Sequence, residues 1–115
     1  MSRDGAVYLR HVLLCADRVR AYTAEGREAF LADSKTQDAV IRNLEIIGQA
    51  IRDFGPDELT SREPGVPWQQ VAGLRNVLAH QYLGVDVQLV WNVVHDHLPA
   101  LRAAVEALLG RQSPT

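Results

Sequence analysis

The fold is decided by residues 35–54, which read KTQDAVIRNLEIIGQAIRDF. Apolar side chains recur there every three or four residues, as on one face of an α-helix. They are Val40, Leu44, Ile47, Ile51 and Phe54. Asp33 or Ser34 is suited to cap the start of this helix, and Gly55-Pro56 is suited to end it. Because a long amphipathic helix needs other elements to cover its apolar face, the segment favours a layered helical domain.

The same spacing of apolar residues predicts further helices on both sides of this segment. The predicted helices are one after Asp4 with a stripe from Tyr8 to Val19, one from Pro67 to near Gly84, and one from Asp86 to Gly110. Residues 27–31 and 57–61 are each expected to form a short helical turn, and Pro99 is expected to kink the last helix. Since no stretch alternates apolar and polar residues as a strand does, the sequence predicts an all-α, antiparallel four-helix bundle.

The composition is that of a single folded domain. The chain has 115 residues, of which 47% are hydrophobic and 23% charged, far from the signature of disorder. We expect one helical domain over residues 1–110, with residues 111–115 as a frayed tail. No apolar run approaches the length that spans a membrane, so the expected location is the cytoplasm.

Charge and cysteine content exclude some classes of function. The net charge of -2 argues against a protein whose whole surface coats nucleic acid, although it leaves room for a local basic groove. Cys15 is the single cysteine, so one chain holds neither a disulfide nor a thiolate metal site. His95 and His97 differ by two positions and point to different sides of a helix; we interpret them as structural and expect no metal and no cofactor.

Arg75 stands out on the third long helix. At 100° per residue, Val71, Leu78 and Tyr82 fall on nearly one line, and Arg75 lies about 40° away, at the edge of that apolar stripe. An arginine near a core needs a partner, because an unpaired buried charge is strongly destabilising. One interpretation is a structural ion pair with a carboxylate such as Glu45. The other is a guanidinium placed to bind an anion.

His80 falls on the other side of the same helix, beside Asn76 and near Gly73 and Val77. It lies about 140° around the helix and about 7.5 Å along it from Arg75, so the two side chains do not converge within one chain. An ordinary exposed histidine is one interpretation. The alternative is a twofold homodimer that brings two Arg75/His80 sets into one cleft, since a small and partly apolar helix face suits packing against a second copy.

Such a cleft has the groups needed to cleave RNA without a metal. His80 would take or give the proton as the ribose 2′-hydroxyl attacks, Arg75 would stabilise the charge that develops on the phosphate, and Asn76 would support the pair. DNA would resist, because it lacks that hydroxyl.

The pattern Arg75-x4-His80-x-Tyr82 resembles the signature of the HepT-like branch of the HEPN ribonuclease toxins. Further blocks agree with that family in the same order along the chain. They lie at residues 40–48, 66–68, 73–76 and 84–99. The resemblance covers nearly the whole chain and implies a HEPN-like helical homodimer.

The resemblance also implies an activity and partners. It implies a metal-independent endoribonuclease of a toxin–antitoxin pair that acts on transfer RNA or messenger RNA, with Arg75 and His80 as the catalytic pair. The usual antitoxin of the family is a minimal nucleotidyltransferase that transfers adenylate from ATP to the motif tyrosine, here Tyr82. Adenylate beside the cleft would repel a phosphate backbone and block its entry.

Two glutamines depart from the family pattern. Many relatives carry Glu where this sequence has Gln49 and an acidic residue where it has Gln81. The change at position 81 would weaken the orientation of His80 or recognition by the antitoxin, and the change at 49 would remove a partner for Arg75 or Arg42. These departures and the net charge of -2 support a second hypothesis, a non-catalytic dimeric helical module that binds a nucleotidyltransferase or RNA.

Overall fold

The computed structural model describes residues 3–79 and 84–112, and this part of the chain is helical without a strand. Its elements, in chain order, are α1 (Arg3–Tyr22), α2 (Arg27–Ala32), α3 (Ser34–Phe54), α4 (Pro56–Arg62), α5 (Trp68–Ala79), α6 (Val87–Asn92), a π-helical turn (Val93–His97) and α7 (Leu98–Gln112). The predicted all-α bundle is confirmed. No helix within these residues is both long and apolar enough to cross a bilayer.

Helix α3 is the centre of the bundle. It packs against α1 on one side and α5 on the other, while α7 lies against α1. The predicted stripe is its buried face, and Val40, Ile47 and Ile51 are fully buried. The amide of Asn43 is also buried and donates to the carbonyl of Ala39 at 2.9 Å. The long apolar helix predicted from residues 35–54 therefore organises the core.

Side-chain caps define two of the helix starts. The carboxylate of Asp33 accepts a hydrogen bond from the backbone of Lys35 at 3.1 Å and from Thr36 Oγ1 at 2.7 Å, and these bonds lower the pKa of Asp33. Asp86 caps α6 in the same way, as predicted. The prediction for Asp4 is wrong, because α1 already begins at Arg3.

Pro67 and the short helices shift by small amounts from the prediction. Helix α5 begins at Trp68, and the carbonyl of Pro67 accepts from the backbone of Val71 at 3.1 Å, so the proline precedes the helix. Helix α4 is longer than the single turn predicted over residues 57–61 because it starts at Pro56, whose missing N–H costs nothing in a first turn.

Pro99 disturbs the last helix by widening it. A proline cannot donate to the carbonyl four residues earlier, here that of His95, and its ring would clash with that group. The chain forms a π-helical turn over Val93–His97, in which the backbone N–H of Leu98 donates to the carbonyl of Val93. The predicted disturbance at Pro99 is thus present, in the form of a π-turn that divides the helix into α6 and α7.

The end of the domain differs from the prediction. Helix α7 continues to Gln112, beyond the expected end at Gly110. Arg111 forms an ion pair with Glu63, which lies between α4 and α5. A frayed tail from residue 111 onward is therefore wrong for Arg111, because a contact distant in sequence holds it.

Gly48 is the point where α3 and α5 touch through their backbones. A Cβ added to Gly48 would lie 2.9 Å from the carbonyl oxygen of Val71 and 3.1 Å from the backbone nitrogen of Arg75. Gly73 on α5 differs from Gly48, because no described atom lies within 4 Å of its Cβ position in the single chain.

We expect Gly48→Ala to lower the free energy of unfolding by about 1–3 kcal/mol, because backbone atoms of α5 would have to move away. Gly110→Ala should be neutral or stabilising by up to about 1 kcal/mol, since that site is open and alanine is the better helix former. Urea unfolding of the two variants measures the difference. Equal effects at Gly48 and Gly110 would show that the α3–α5 contact does not depend on a glycine.

Candidate functional site

Arg75 lies on the exposed side of α5, next to the contact with α3. Its backbone nitrogen is the atom that a Cβ on Gly48 would approach to 3.1 Å, whereas its side chain is exposed. Asn76 is exposed as well, and Val77 is 55% exposed. The main chain of Arg75 is thus held against α3 while its guanidinium reaches solvent.

The guanidinium of Arg75 is not part of any ion pair in the described part of the chain. Glu45 lies instead 3.7 Å from Arg42. The interpretation of Arg75 as the structural partner of Glu45 is therefore wrong, and Arg75 is free to bind an anion.

The side chain of Gln49 forms a hydrogen bond within its own helix, α3. Gln49 Nε2 donates to Asp53 Oδ1 at 2.8 Å, one turn further along α3. Neither Arg75 nor Arg42 is among its hydrogen-bond partners. The glutamine that departs from the family pattern thus forms a local bond within α3.

The buried face of α5 agrees with the prediction in part. Trp68, which flanks the predicted line, is buried as expected, and Ala72 is buried too, whereas Val71 and Leu78 on that line are half-buried. The indole Nε1 of Trp68 donates to the carbonyl of Glu63 at 2.8 Å and so anchors the start of α5. The α5 atoms nearest to the Cβ position of Gly48 belong to Val71, Leu74 and Arg75.

The opposite face of α5 has no cover within the described residues. It carries Gly73, Asn76 and the exposed Val77, and the neighbours of α5 in the bundle are α3 and α4. Uncovered apolar and small residues on one helix face are typical of a surface that packs against another subunit. The homodimer remains a prediction that this face supports.

The second half of the motif falls outside the described residues. Helix α5 is described as far as Ala79, the residue before His80. The predictions for His80, Gln81 and Tyr82 therefore stay predictions, and the geometry above concerns Arg75 and its surroundings.

The other histidines are exposed, and one of them borders a groove that sequence analysis missed. His95 and His97 both lie on the surface, although they were interpreted as structural. The His95 ring stacks on Trp91 with 5.8 Å between centroids, beside an open groove of about 990 Å³. The sequence signal for this groove is the placement of Trp91, His95 and Pro99 at intervals of four residues, which puts them on one side of a helix. In the parts of the chain described here, no cluster of three or more potential metal ligands occurs.

Comparison with known proteins identifies the family. Residues 12–108 match the family model described as Ribonuclease HepT-like. The chain is 38% identical over 109 residues to the "Probable ribonuclease HepT" of Thermococcus cleftensis, covering 94% of this chain and 98% of that protein. It is 37% identical over 106 residues to a "Putative RNase" of Methanocaldococcus jannaschii, with 91% and 96% covered. No solved structure matches it. The resemblance found in the Arg75 motif is thus confirmed, and the chain belongs to the ribonuclease HepT-like family.

Proposed function

We propose that this protein is a metal-independent endoribonuclease, the toxin of a toxin–antitoxin pair, that cuts transfer RNA or messenger RNA. The observation that carries the proposal is the exposed guanidinium of Arg75, which forms no ion pair within the described residues and stands first in the motif with His80 and Tyr82. Membership of a ribonuclease family supports it. An exposed arginine can offer its planar set of N–H donors to a phosphate without first breaking a salt bridge.

The chemistry follows from these groups. A histidine takes the proton of the ribose 2′-hydroxyl, whose oxygen attacks the adjacent phosphorus and forms a cyclic phosphate. The bond from phosphorus to the 5′-oxygen breaks, and that oxygen receives a proton from an acid. Arg75 stabilises the extra negative charge that develops on the phosphate oxygens. A base and an acid are both needed, and a second copy of His80 would supply the second group.

A twofold dimer across the outer face of α5 would meet this need. Gly73 leaves space for close approach, and Val77 offers an apolar surface that a second copy of the same face would bury. A twofold contact joins the same surface of both subunits. The Arg75 side chains of the two subunits would therefore flank one cleft.

Regulation by a nucleotidyltransferase antitoxin is part of the proposal. Adenylate on Tyr82, seven positions after Arg75, would bring a negatively charged phosphate into the region that the RNA backbone must enter. The free guanidinium of Arg75 would then have an anion of its own chain as a competing partner.

We expect the purified chain to cleave transfer RNA in the presence of EDTA, and Arg75→Ala and His80→Ala each to lower kcat/KM at least about 100-fold. Arg10→Ala is the matched control, since Arg10 is an exposed arginine on α1, and it should keep full activity. A gel-based cleavage assay with RNA and the matching DNA measures both the rate and the need for the 2′-hydroxyl. Full cleavage by the Arg75 or His80 variant would refute the assignment, and RNA binding without cleavage by the wild type would favour the non-catalytic module.

We expect Val77→Glu to convert the dimer to monomer, because two like charges would be placed in one apolar contact. Leu14→Glu on α1 is the control, since Leu14 is 47% exposed against 55% for Val77. Sedimentation velocity gives the state of assembly, and circular dichroism shows that both variants are folded. A wild type that is monomeric at tens of micromolar, or a dimeric Val77 variant, would contradict a dimer through α5.

We expect co-expression with the adjacent nucleotidyltransferase gene to add adenylate to Tyr82, seen as an increase in intact mass. Tyr82→Phe should abolish the mass increase because the accepting hydroxyl is lost, whereas Tyr22→Phe, which changes an exposed tyrosine at the end of α1, should not. Modification that persists in the Tyr82 variant would place the regulatory site elsewhere.

A further inference from the structure

A second site is suggested by the groove between the end of α1 and the π-turn with the start of α7. Its volume is about 990 Å³, at the upper end of the range of small-molecule sites. The floor is made of apolar and mostly small residues. They are Ala16, Val94, Leu98, Pro99, Ala103 and Ala107. The polar groups around it come from Arg20, Trp91, His95 and the Arg102–Glu106 pair, none of which belongs to the motif of residues 75–82.

The two tryptophans differ in whether the fold uses their indole N–H. Trp68 is buried, and its indole N–H is bonded to the carbonyl of Glu63. Trp91 is half-buried and borders the groove, and its N–H has no hydrogen bond within the described part of the chain. The N–H of Trp91 is not among the buried unpaired polar atoms of the described residues, so it is open to solvent and available as a donor beside the groove.

The two arginines of the groove also differ, because one is bonded within the fold and the other is not. Arg102 is committed to structure, since its Nε donates to Asp17 at 2.7 Å and its Nη1 to Glu106, and these bonds lower the pKa of Asp17 and raise that of Arg102. Arg20 forms no ion pair and no guanidinium hydrogen bond among the described residues. It acts on Asp17 through its charge, but the Asp17 carboxylate is already bonded to Arg102. One guanidinium at the groove is thus uncommitted.

The groove also offers an aromatic surface. The His95 ring stacks on Trp91 at an interplanar angle of 23°, and Phe30 packs against Trp91 from α2 with 5.7 Å between centroids. Since the side chain of His95 is 68% exposed, part of its ring remains accessible to a further planar group. The π-turn between Val93 and His97 carries this histidine, and such turns often occur at functional sites.

Apart from the Arg102–Glu106 pair, the groove offers the Arg20 guanidinium, the Trp91 N–H and the exposed His95 ring, and these suit a planar ring that carries acceptors and a negatively charged group. We propose that this groove binds a nucleotide, either free or as one unit of an RNA chain. The phosphate would bond to Arg20, an acceptor of the base or sugar would bond to the indole N–H of Trp91, and the base would stack on His95. This inference does not depend on the proposed cleavage.

The test is a binding titration of the full chain with 5′-AMP and, separately, with a 2′-O-methyl RNA decamer, which lacks the hydroxyl needed for cleavage. We expect saturable binding of at least one probe and at least a tenfold loss of affinity in Arg20→Gln. Arg18→Gln is the matched control, because Arg18 is an exposed arginine on α1 that does not border the groove. Isothermal titration calorimetry measures the affinities, so the result is independent of RNA cleavage.

A second pair of variants tests the cavity itself. Ala103→Phe should fill the groove and weaken binding, whereas Ala100→Phe, on an exposed part of α7 outside the lining, should not. If AMP binds and Arg20→Gln abolishes its binding, the groove is a free-nucleotide site. If the decamer binds but AMP does not, and Arg20→Gln abolishes binding of the decamer, the groove is a subsite for RNA. Absence of saturable binding by both probes, or equal affinities in Arg20→Gln and Arg18→Gln, would overturn the proposal.

Discussion

The contact between α3 and α5 at Gly48 determines where the candidate site lies. Backbone atoms of Val71 and Arg75 occupy the space that any side chain at position 48 would take, so the two helices approach as closely as their main chains allow. Val71, Leu74 and the backbone of Arg75 lie at this contact, while the side chain of Arg75 is exposed. The exposure of the first motif residue is thus a consequence of a glycine on the neighbouring helix.

Two further interactions hold the start of α5 in place. Trp68 fixes the start of α5 through its bond to the carbonyl of Glu63, and the side chain of Glu63 pairs with Arg111 at the end of α7. The loop before α5 is therefore joined to an element that is distant in sequence. With one end anchored and its middle in contact with α3, α5 presents the face of Asn76 and Val77 in a defined direction, as a surface for a second subunit requires.

Sequence periodicity predicted the elements well because each long helix contains its own apolar stripe, and local chemistry predicted the cap at Asp86 and the disturbance at Pro99. Contacts between distant segments were not predictable in this way. Gly48 and Gly73 are the same residue in similar helices, and the difference between them depends on which face meets a neighbour. For the candidate site, the motif identified Arg75, but its freedom from Glu45 became clear only from the packed structure.

The arrangement of ion pairs explains how a chain of net charge -2 can present positive charge locally. Several acidic groups are used to neutralise arginines that hold the fold, as Asp17 and Glu106 do for Arg102. The Asp17–Arg102 pair joins α1 to α7 and the Arg102–Glu106 pair lies within α7, whereas Arg75 and Arg20 have no such partner in the described residues. Salt screens the interaction between charges that lie farther apart than about 10 Å. A bound anion therefore responds to the nearby guanidinium of Arg75 or Arg20 more than to the net charge of the molecule. Net charge is for this reason a weak argument against RNA as a substrate, and local pairing is the better guide.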